Sequence, residues 1–323
     1  MLICVTGATG HIGANLVRAL LARGDRVRVL IRGADRSLTG LDVERVPGDV
    51  LDPASLDRAF VGAELVFHLA ALISIQGDRG GRVPAINVGG AKNAAEAALR
   101  AGVRRFIHTS SVHAFDLTRG GVIDETSPRS ESPHLAAYDR SKAAGEIEVR
   151  EVVARGLDAV VVHPTGVIGP IDFEPSRMGR MLLQLRDRSL PSLVNGGFDF
   201  VDVRDVVGAL IAASERGRTG ESYLAAGSWI SVADLARAAA AITSIPPPRL
   251  VVSVGLARVG VPFAAAWGWM TKQEPLYTSE SLSTLAHTAR ISSAKAADEL
   301  DYRARPLEET LRDTYAWHAD RTA

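Results

Sequence analysis

The chain is almost without cysteine: Cys4 is the single one in 323 residues. A disulfide within the chain is therefore impossible, and a metal site built on thiolates is implausible. No metal is expected. Cys4 lies in an apolar run near the amino terminus and reads as a buried structural thiol. Neither sign of charge is in excess, because 37 Lys and Arg balance 37 Asp and Glu. With no basic surplus and no charged tail, nucleic acid is not an expected partner. A membrane span needs about 20 uninterrupted apolar residues, and no stretch meets that. The nearest candidate, Val251 to Met270, carries Arg258 and Pro262 and reads as a substrate pocket or dimer surface. The first residues run straight into a strand-like segment with no room for a signal peptide, so a cytoplasmic location is expected. Internal repeats and low-complexity linkers are also missing, and Pro246-Pro247-Pro248 reads as a turn.

What is present is an alternation of strands and helices. Hydrophobic residues make up 46% of the chain and charged residues 23%, enough apolar material for a sizeable core. Leu2–Val5, Val27–Ile31, Val43–Pro47, Leu65–His68, Phe106–Thr109 and Ala159–His163 read as strands. Ile12–Ala22, Pro53–Phe60, Val88–Ala101 and Tyr138–Arg155 read as the helices between them. This order predicts an α/β fold, a doubly wound parallel sheet of the Rossmann type. Residues 1–168 form the dinucleotide-binding domain, with 199–226 returning to it. A helix is expected to begin at Phe200, and Ser222–Ala225 reads as a late strand of the sheet. Residues 169–198 and 227–323 form a smaller, mostly helical substrate lobe. Ligands of such sheets bind at the carboxyl ends of the strands, where the strand order reverses. That rule gathers the glycine turn, His68-Leu69-Ala70-Ala71, Thr109-Ser110-Ser111 and His163–Gly166 around one cleft.

The glycine turn is Thr6-Gly7-Ala8-Thr9-Gly10-His11-Ile12-Gly13, set between an apolar strand and a helix. Its backbone N–H groups can face a pyrophosphate at the helix amino terminus. Gly7, Gly10 and Gly13 are spaced three apart, unlike the commonest dinucleotide fingerprint. In such folds the end of the second strand meets the adenosine ribose. A carboxylate there suits the hydroxyls of NAD, and a guanidinium suits the 2′-phosphate of NADP. This sequence places Arg32 there, followed by Arg36, so NADP(H) is favoured and NAD(H) is the alternative.

Tyr138-Asp139-Arg140-Ser141-Lys142 puts a phenol and an ammonium one helical turn apart on one face. Phenols titrate near 10, and a fixed Lys142 ammonium is expected to lower that value, fitting Tyr138 for proton transfer. The Ser111 hydroxyl can hydrogen-bond a substrate oxygen as charge develops on it. Leu72, Ile73, Ile75, Phe115, Phe173, Trp267 and Trp269 are candidate walls of an apolar pocket. His113, close behind Ser111, is a candidate substrate contact.

With these motifs the chain resembles the extended short-chain dehydrogenases/reductases of the NAD-dependent epimerase/dehydratase superfamily. The resemblance also rests on Gly48-Asp49-Val50, Asn87-Val88-Gly89-Gly90, His163-Pro164-Thr165-Gly166, Val201–Val207, Arg303–Leu307 and Ala316-Trp317. It implies that Ser111, Tyr138 and Lys142 are the catalytic set. It implies that Asp49 and Val50 contact the adenine, that Ala70 packs near the ribose, and that Pro164 and Val167 lie by the nicotinamide carboxamide. Asn87 matches a family Asn that fixes active-site backbone. With Thr9, His11, Ile12, Leu69, Ala71, Thr109, Tyr138 and Lys142, these residues complete the expected cofactor site, and Ile73, Ser111, His113 and Tyr138 the substrate site.

Within the superfamily, Arg32, the Pro-Thr-Gly-Val run and the apolar Val251 to Met270 stretch resemble dihydroflavonol reductase-like and hydroxysteroid dehydrogenase-like oxidoreductases. The sugar branch typically has an Asn in the turn written here Thr165-Gly166-Val167-Ile168-Gly169-Pro170, and Arg177, Arg180, Arg186 and Arg188 read as a solvated helix face. The expectation is an NADP(H)-dependent oxidoreductase moving a hydride to or from a carbonyl or alcohol carbon of a moderately hydrophobic small molecule. The alternatives are an NAD-dependent nucleotide-sugar epimerase or dehydratase, and a non-catalytic dinucleotide sensor. The resemblance also implies a homodimer through Ala91–Ala101 and Ser141–Ala154.

Overall fold

Seven parallel strands form the central sheet of the computed structural model, which describes residues 1–261 and 278–321. From one edge to the other they are Ser222–Ala225, Ala159–Pro164, Arg105–Thr109, Leu65–His68, Leu2–Thr6, Arg26–Ile31 and Glu44–Pro47. The chain starts in the middle, moves outward twice, then crosses to the other side of Leu2–Thr6. The strand order therefore reverses between Leu2–Thr6 and Leu65–His68, where Thr6 lies beside His68. A crevice at that reversal is where such sheets take their ligands. Interior parallel strands are covered on both faces, which is why Ala159–Pro164 is a continuous buried run rather than an alternating one.

Two apolar layers cover the sheet. On one face Leu16, Val17 and Leu20 of helix His11–Ala22 pack with Ile3, Val5 and the helix Val203–Arg216. On the other, Leu56 and Phe60, Ala94 and Ala98, and Val149 and Val152 pack around Cys4, Val66 and Phe106. Those residues come from helices Pro53–Phe60, Gly90–Ala101 and Ala137–Val153. The alanines of Gly90–Ala101 are thus used within the chain: Ala94, Ala95, Ala97 and Ala98 are fully buried there. Cys4 is buried too, and burial pushes its thiol up to about 12, so it stays protonated and inert.

The expected helix from Val88 begins differently. Ala85–Gly89 is a π-helical turn that leads into Gly90–Ala101 and carries Asn87. The helix expected to begin at Phe200 starts later, at Val203, because Gly197–Asp202 is a strand. Asp202 caps that helix by accepting the Arg204 N–H at 2.7 Å. The carboxyl-terminal region is not purely helical. Gly166–Ile168, Gly197–Asp202 and Ser228–Ser231 form a small sheet covered by helices Arg177–Arg186, Val232–Thr243 and Leu307–Asp320. Ala294–Leu300 packs on the core of the central sheet, beside Val203–Arg216. No helix among the described residues is long and apolar enough to cross a membrane. Of the Val251 to Met270 stretch, Val251–Ser253 is a strand and residues 254–261 are helical, while residues 262–270 lie outside the described residues.

The turn after Leu2–Thr6 needs glycine at two places. Gly7 has a positive φ of 69°, and a Cβ on it would lie 2.6 Å from the Ala70 nitrogen. A Cβ on Gly13 would overlap the Gly7 carbonyl oxygen and the Ala8 backbone. These are backbone obstacles, which a rotamer change cannot relieve. Gly13→Ala is expected to cost about 1–3 kcal/mol of stability, read as a lower denaturant midpoint; an unchanged midpoint would mean that the turn is not closed against this helix.

Candidate active site

The glycine turn ends at the amino terminus of helix His11–Ala22. Gly10 is its N-cap, no side chain caps it, and no acid stands in the first turn. Four helix N–H groups at such an end lack internal partners and attract anions. Gly10 differs from its two neighbours in the motif. A Cβ there meets only the Gly7 oxygen at an ordinary 3.5 Å, so the fold itself does not demand glycine. Open space in front of an uncapped helix end is what close approach of a pyrophosphate requires. Thr9 and Ile12 flank this end. The His11 imidazole is turned away from it: Nε2 lies 3.0 Å from the Pro170 carbonyl, with which Asn15 also forms a hydrogen bond.

At the end expected to meet the adenosine, Arg32 follows the strand Arg26–Ile31 with its side chain two-thirds exposed, and its guanidinium lies 3.8 Å from Asp49. Arg36 opens a short 3-10 turn and is exposed. Asp35 is engaged by Arg45 at 2.7 Å. The Asp49 carboxylate accepts the Leu51 N–H, and Val50 is buried with its carbonyl held by Asn93. Leu69 and Ala70 donate their N–H groups to the Thr6 carbonyl and hydroxyl. Ala71 beside them is exposed. Asn87 clamps the next residue by accepting the Leu72 N–H at 2.7 Å and donating to the Leu72 carbonyl at 3.0 Å. The same amide donates to the Ser141 hydroxyl, which in turn donates to the Tyr138 carbonyl. Asn87 thus couples the strand-end backbone to the helix that bears the tyrosine and lysine.

Ser111, Tyr138 and Lys142 do come together. Helix Ala137–Val153 presents Tyr138 and Lys142 inward, and both are buried. Ser111 lies just past strand Arg105–Thr109, where its hydroxyl accepts the His113 N–H at 3.2 Å and is near enough to the Tyr138 phenol to favour its ionised form. Lys142 donates from Nζ to the Thr109 carbonyl at 2.9 Å. Burial brings the Lys142 ammonium down to about 8, with the Glu146 charge pulling the other way. Burial also pushes the Tyr138 phenol up to about 12; the Ser111 hydrogen bond lowers it and the Asp139 charge raises it. The expected lowering of this phenol by Lys142 is therefore corrected. Desolvation outweighs any help from the ammonium, whose proton is directed at Thr109. A phenol in that range is protonated at neutral pH, the form that can donate to a carbonyl oxygen.

His113 follows Ser111 in a short 3-10 turn, with its ring edge-on to Tyr138 at 5.6 Å and its Nδ1 3.0 Å from Asp139. Burial lowers its pKa, but the Asp139 charge and hydrogen bond outweigh that, and the net shift is upward. Pro164 ends the strand Ala159–Pro164, and Val167 lies in the short strand Gly166–Ile168, at the same end of the sheet. Ile73 is exposed at the mouth of the Leu69–Leu72 backbone.

The proposed apolar walls fare unevenly. Phe115 is core, packed between His163 and the Arg129 guanidinium. Phe173 packs against Trp317, Arg18 and Arg321. Trp267 and Trp269 lie outside the described residues. Sequence reasoning missed Phe198, which stacks on His113 at 5.7 Å, and His287, which borders the same recess as Phe198, Val112 and Trp229. It also missed Asp139 and Glu146, although Asp139 stands inside the Tyr138–Lys142 motif and Glu146 falls one turn after Lys142, a spacing that was readable.

Comparison with known proteins agrees with this fold. Residues 3–226 match the "NAD dependent epimerase/dehydratase family". The chain is 37% identical to sterol demethylase protein B of Methylococcus capsulatus, across 99% of both chains. It is 33% identical to a candidate dihydroflavonol 4-reductase of Synechocystis, across 97% of this chain and 93% of the relative. Among solved structures, gox2253 superposes with a TM-score of 0.86 at 33% identity, covering 99% of this chain and 98% of the other.

Two substitutions separate the parts of the site. Gly10→Ala is expected to change stability by less than about 0.5 kcal/mol and to weaken dinucleotide binding at least about tenfold; unchanged binding by fluorescence titration would remove the pyrophosphate from this turn. Tyr138→Phe is expected to cut turnover by about 100-fold or more while dinucleotide binding persists, and wild-type turnover in that variant would exclude the phenol as acid.

Proposed function

This chain belongs to the NAD-dependent epimerase/dehydratase family, and from that premise we propose that it is an NADP(H)-dependent reductase of moderately hydrophobic ketones or aldehydes, with Tyr138 as its general acid. It is an enzyme of the extended short-chain dehydrogenase/reductase type. The observation that carries the reading is the convergence of Ser111, Tyr138 and the buried Lys142 at the strand ends beside an uncapped glycine turn. The residues fit the dinucleotide: the helix end is open, and the space before Gly10 is left free by the protein. When bound, NADP(H) supplies the hydride.

The chain's own residues do the remaining work. Ser111 and Tyr138 hold the carbonyl oxygen between two hydroxyls, which polarises the bond and fixes its orientation. Tyr138 gives its proton to that oxygen as negative charge develops on it. The Lys142 ammonium, held by the Thr109 carbonyl, steadies the phenolate left behind. His113 and Phe198 border the substrate beside Tyr138. The sterol and the dihydroflavonol named for its two full-length relatives are ring systems with large apolar surfaces, which favours a substrate of that character over a nucleotide sugar.

The preference for NADP(H) follows from charge. Arg32 is exposed and held only by a long 3.8 Å pair with Asp49, so it is free to turn to a 2′-phosphate. Asp35, the nearest acid in the following loop, is already engaged by Arg45. A homodimer is supported by one feature, the exposed Ile147 on the outer side of helix Ala137–Val153.

Titration with NADPH and NADH, followed by assay against 2-decalone and benzaldehyde, tests the reading. NADPH is expected to bind at least about tenfold more tightly than NADH. Arg32→Ala is expected to remove most of that advantage, about 1.4 kcal/mol for a tenfold preference. Equal or tighter binding of NADH would contradict the role of Arg32, and failure to reduce either carbonyl compound would contradict the reductase.

A further inference from the structure

Beneath the reacting groups lies a second polar cluster, buried except for the partly exposed Arg129, that the proposed chemistry does not use. Its centre is Glu146, one turn beyond Lys142 on helix Ala137–Val153 and 2% exposed. Its Oε1 accepts the Ser110 hydroxyl at 2.6 Å and lies 2.5 Å from His163 Nε2. Its Oε2 lies 3.4 Å from the Arg129 guanidinium, which itself sits 3.9 Å over the Phe115 ring. Each partner belongs to a different segment of the site. Ser110 precedes Ser111, His163 precedes Pro164, and Arg129 stands in the loop between strand end and helix.

We propose that Glu146 is a positioning residue: it ties the Ser110, His163 and Arg129 segments to the Tyr138 helix and supplies the negative charge that holds Lys142 as an ammonium. The proposal deepens the reductase reading, because it rests on Lys142 being needed in its charged form. The surroundings of Lys142 make such a counter-charge necessary. On its own helix it is faced by Tyr138 and Glu146. From the neighbouring strands it is faced by the Thr109 carbonyl and the rings of His68 and His108. Burial and the Lys142 charge hold His68 down at about 3, and the same causes hold His108 well below its usual range. Neither ring therefore carries charge at working pH, and neither stabilises the ammonium. Glu146 is the acid whose charge acts on Lys142, pulling its pKa up against burial. Glu146 itself stays ionised: burial would raise its pKa, but His163, Arg129 and Ser110 together bring it down to about 2.

A purely structural role would lower stability and leave titration alone, so the pH profile is the decisive readout. Because Lys142 is also an expected contact of the dinucleotide, NADPH dissociation constants of the protein would be measured from pH 6 to 10, together with kcat/KM for 2-decalone. The binding profile needs no substrate, so an incorrect substrate class shows up separately, as absent turnover with an intact binding limb. In the wild type the alkaline limb is expected near pH 8. Glu146→Gln keeps the shape and loses the charge, and the limb is expected to move down by about one unit. Ser110→Ala keeps the charge and should leave the limb in place. Arg129→Met removes the cation that offsets Glu146, and the limb should move up. If Glu146→Gln does not fold, Arg129→Met decides the matter alone. A limb unmoved by either charge change, or moved equally by Ser110→Ala, would overturn the proposal.

Discussion

An ammonium held out of water is the constraint around which this molecule is arranged. Lys142 is 3% exposed, and desolvating a charge costs several kcal/mol unless the surroundings offset it. Two groups oppose that cost here, the Thr109 carbonyl at 2.9 Å and the Glu146 carboxylate one turn away. Both are placed by ordinary secondary structure. Strand Arg105–Thr109 ends where Lys142 needs an acceptor and continues directly into Ser110 and Ser111. Helix Ala137–Val153 repeats its inner face every four residues, so Tyr138, Lys142 and Glu146 line up from the cleft into the core. The Tyr138 phenol, the buried cation and its counter-charge therefore form one column, and a shift of the helix by a residue would break all three relations.

The second organising relation joins the glycine-turn helix to the carboxyl-terminal region. His11 and Asn15, in the first turns of the glycine-turn helix, both reach the Pro170 carbonyl. The adjacent Ile171 has a positive φ of 62°, a costly conformation for a β-branched residue. Asp172, buried nearby, accepts the Ser176 N–H and fixes the chain as it leaves the sheet toward Arg177–Arg186. The segment that begins the smaller region is thus anchored on the helix that follows the glycine turn.

Much of the central sheet was legible because parallel strands leave a strong trace. Runs such as Val-Val-Val before His163 have no polar alternation, and the glycine turn after Leu2–Thr6 is required by backbone contacts that only Gly7 and Gly13 permit. The spacing of Tyr138 and Lys142 was equally readable, since helix geometry alone puts them on one face. Three things were not. The sign of the Tyr138 shift depends on burial, which no motif encodes. The fate of Phe115 and Phe173 depends on which side of a loop a ring falls, and both pack away from the cleft. The strand Gly197–Asp202 reads as the start of a helix because its last residue caps the next one, and Phe198, the aromatic that meets His113, was lost with it.

The claim on which the account turns is that Ser111, Tyr138 and Lys142 serve hydride transfer at a carbonyl carbon. Mass spectrometry of the alcohol formed from 2-decalone and NADPH deuterated at C4 of the nicotinamide tests it most directly, run once with each face labelled. The account predicts one deuterium in the product from a single face and none from the other. A product lacking deuterium from both faces would contradict it.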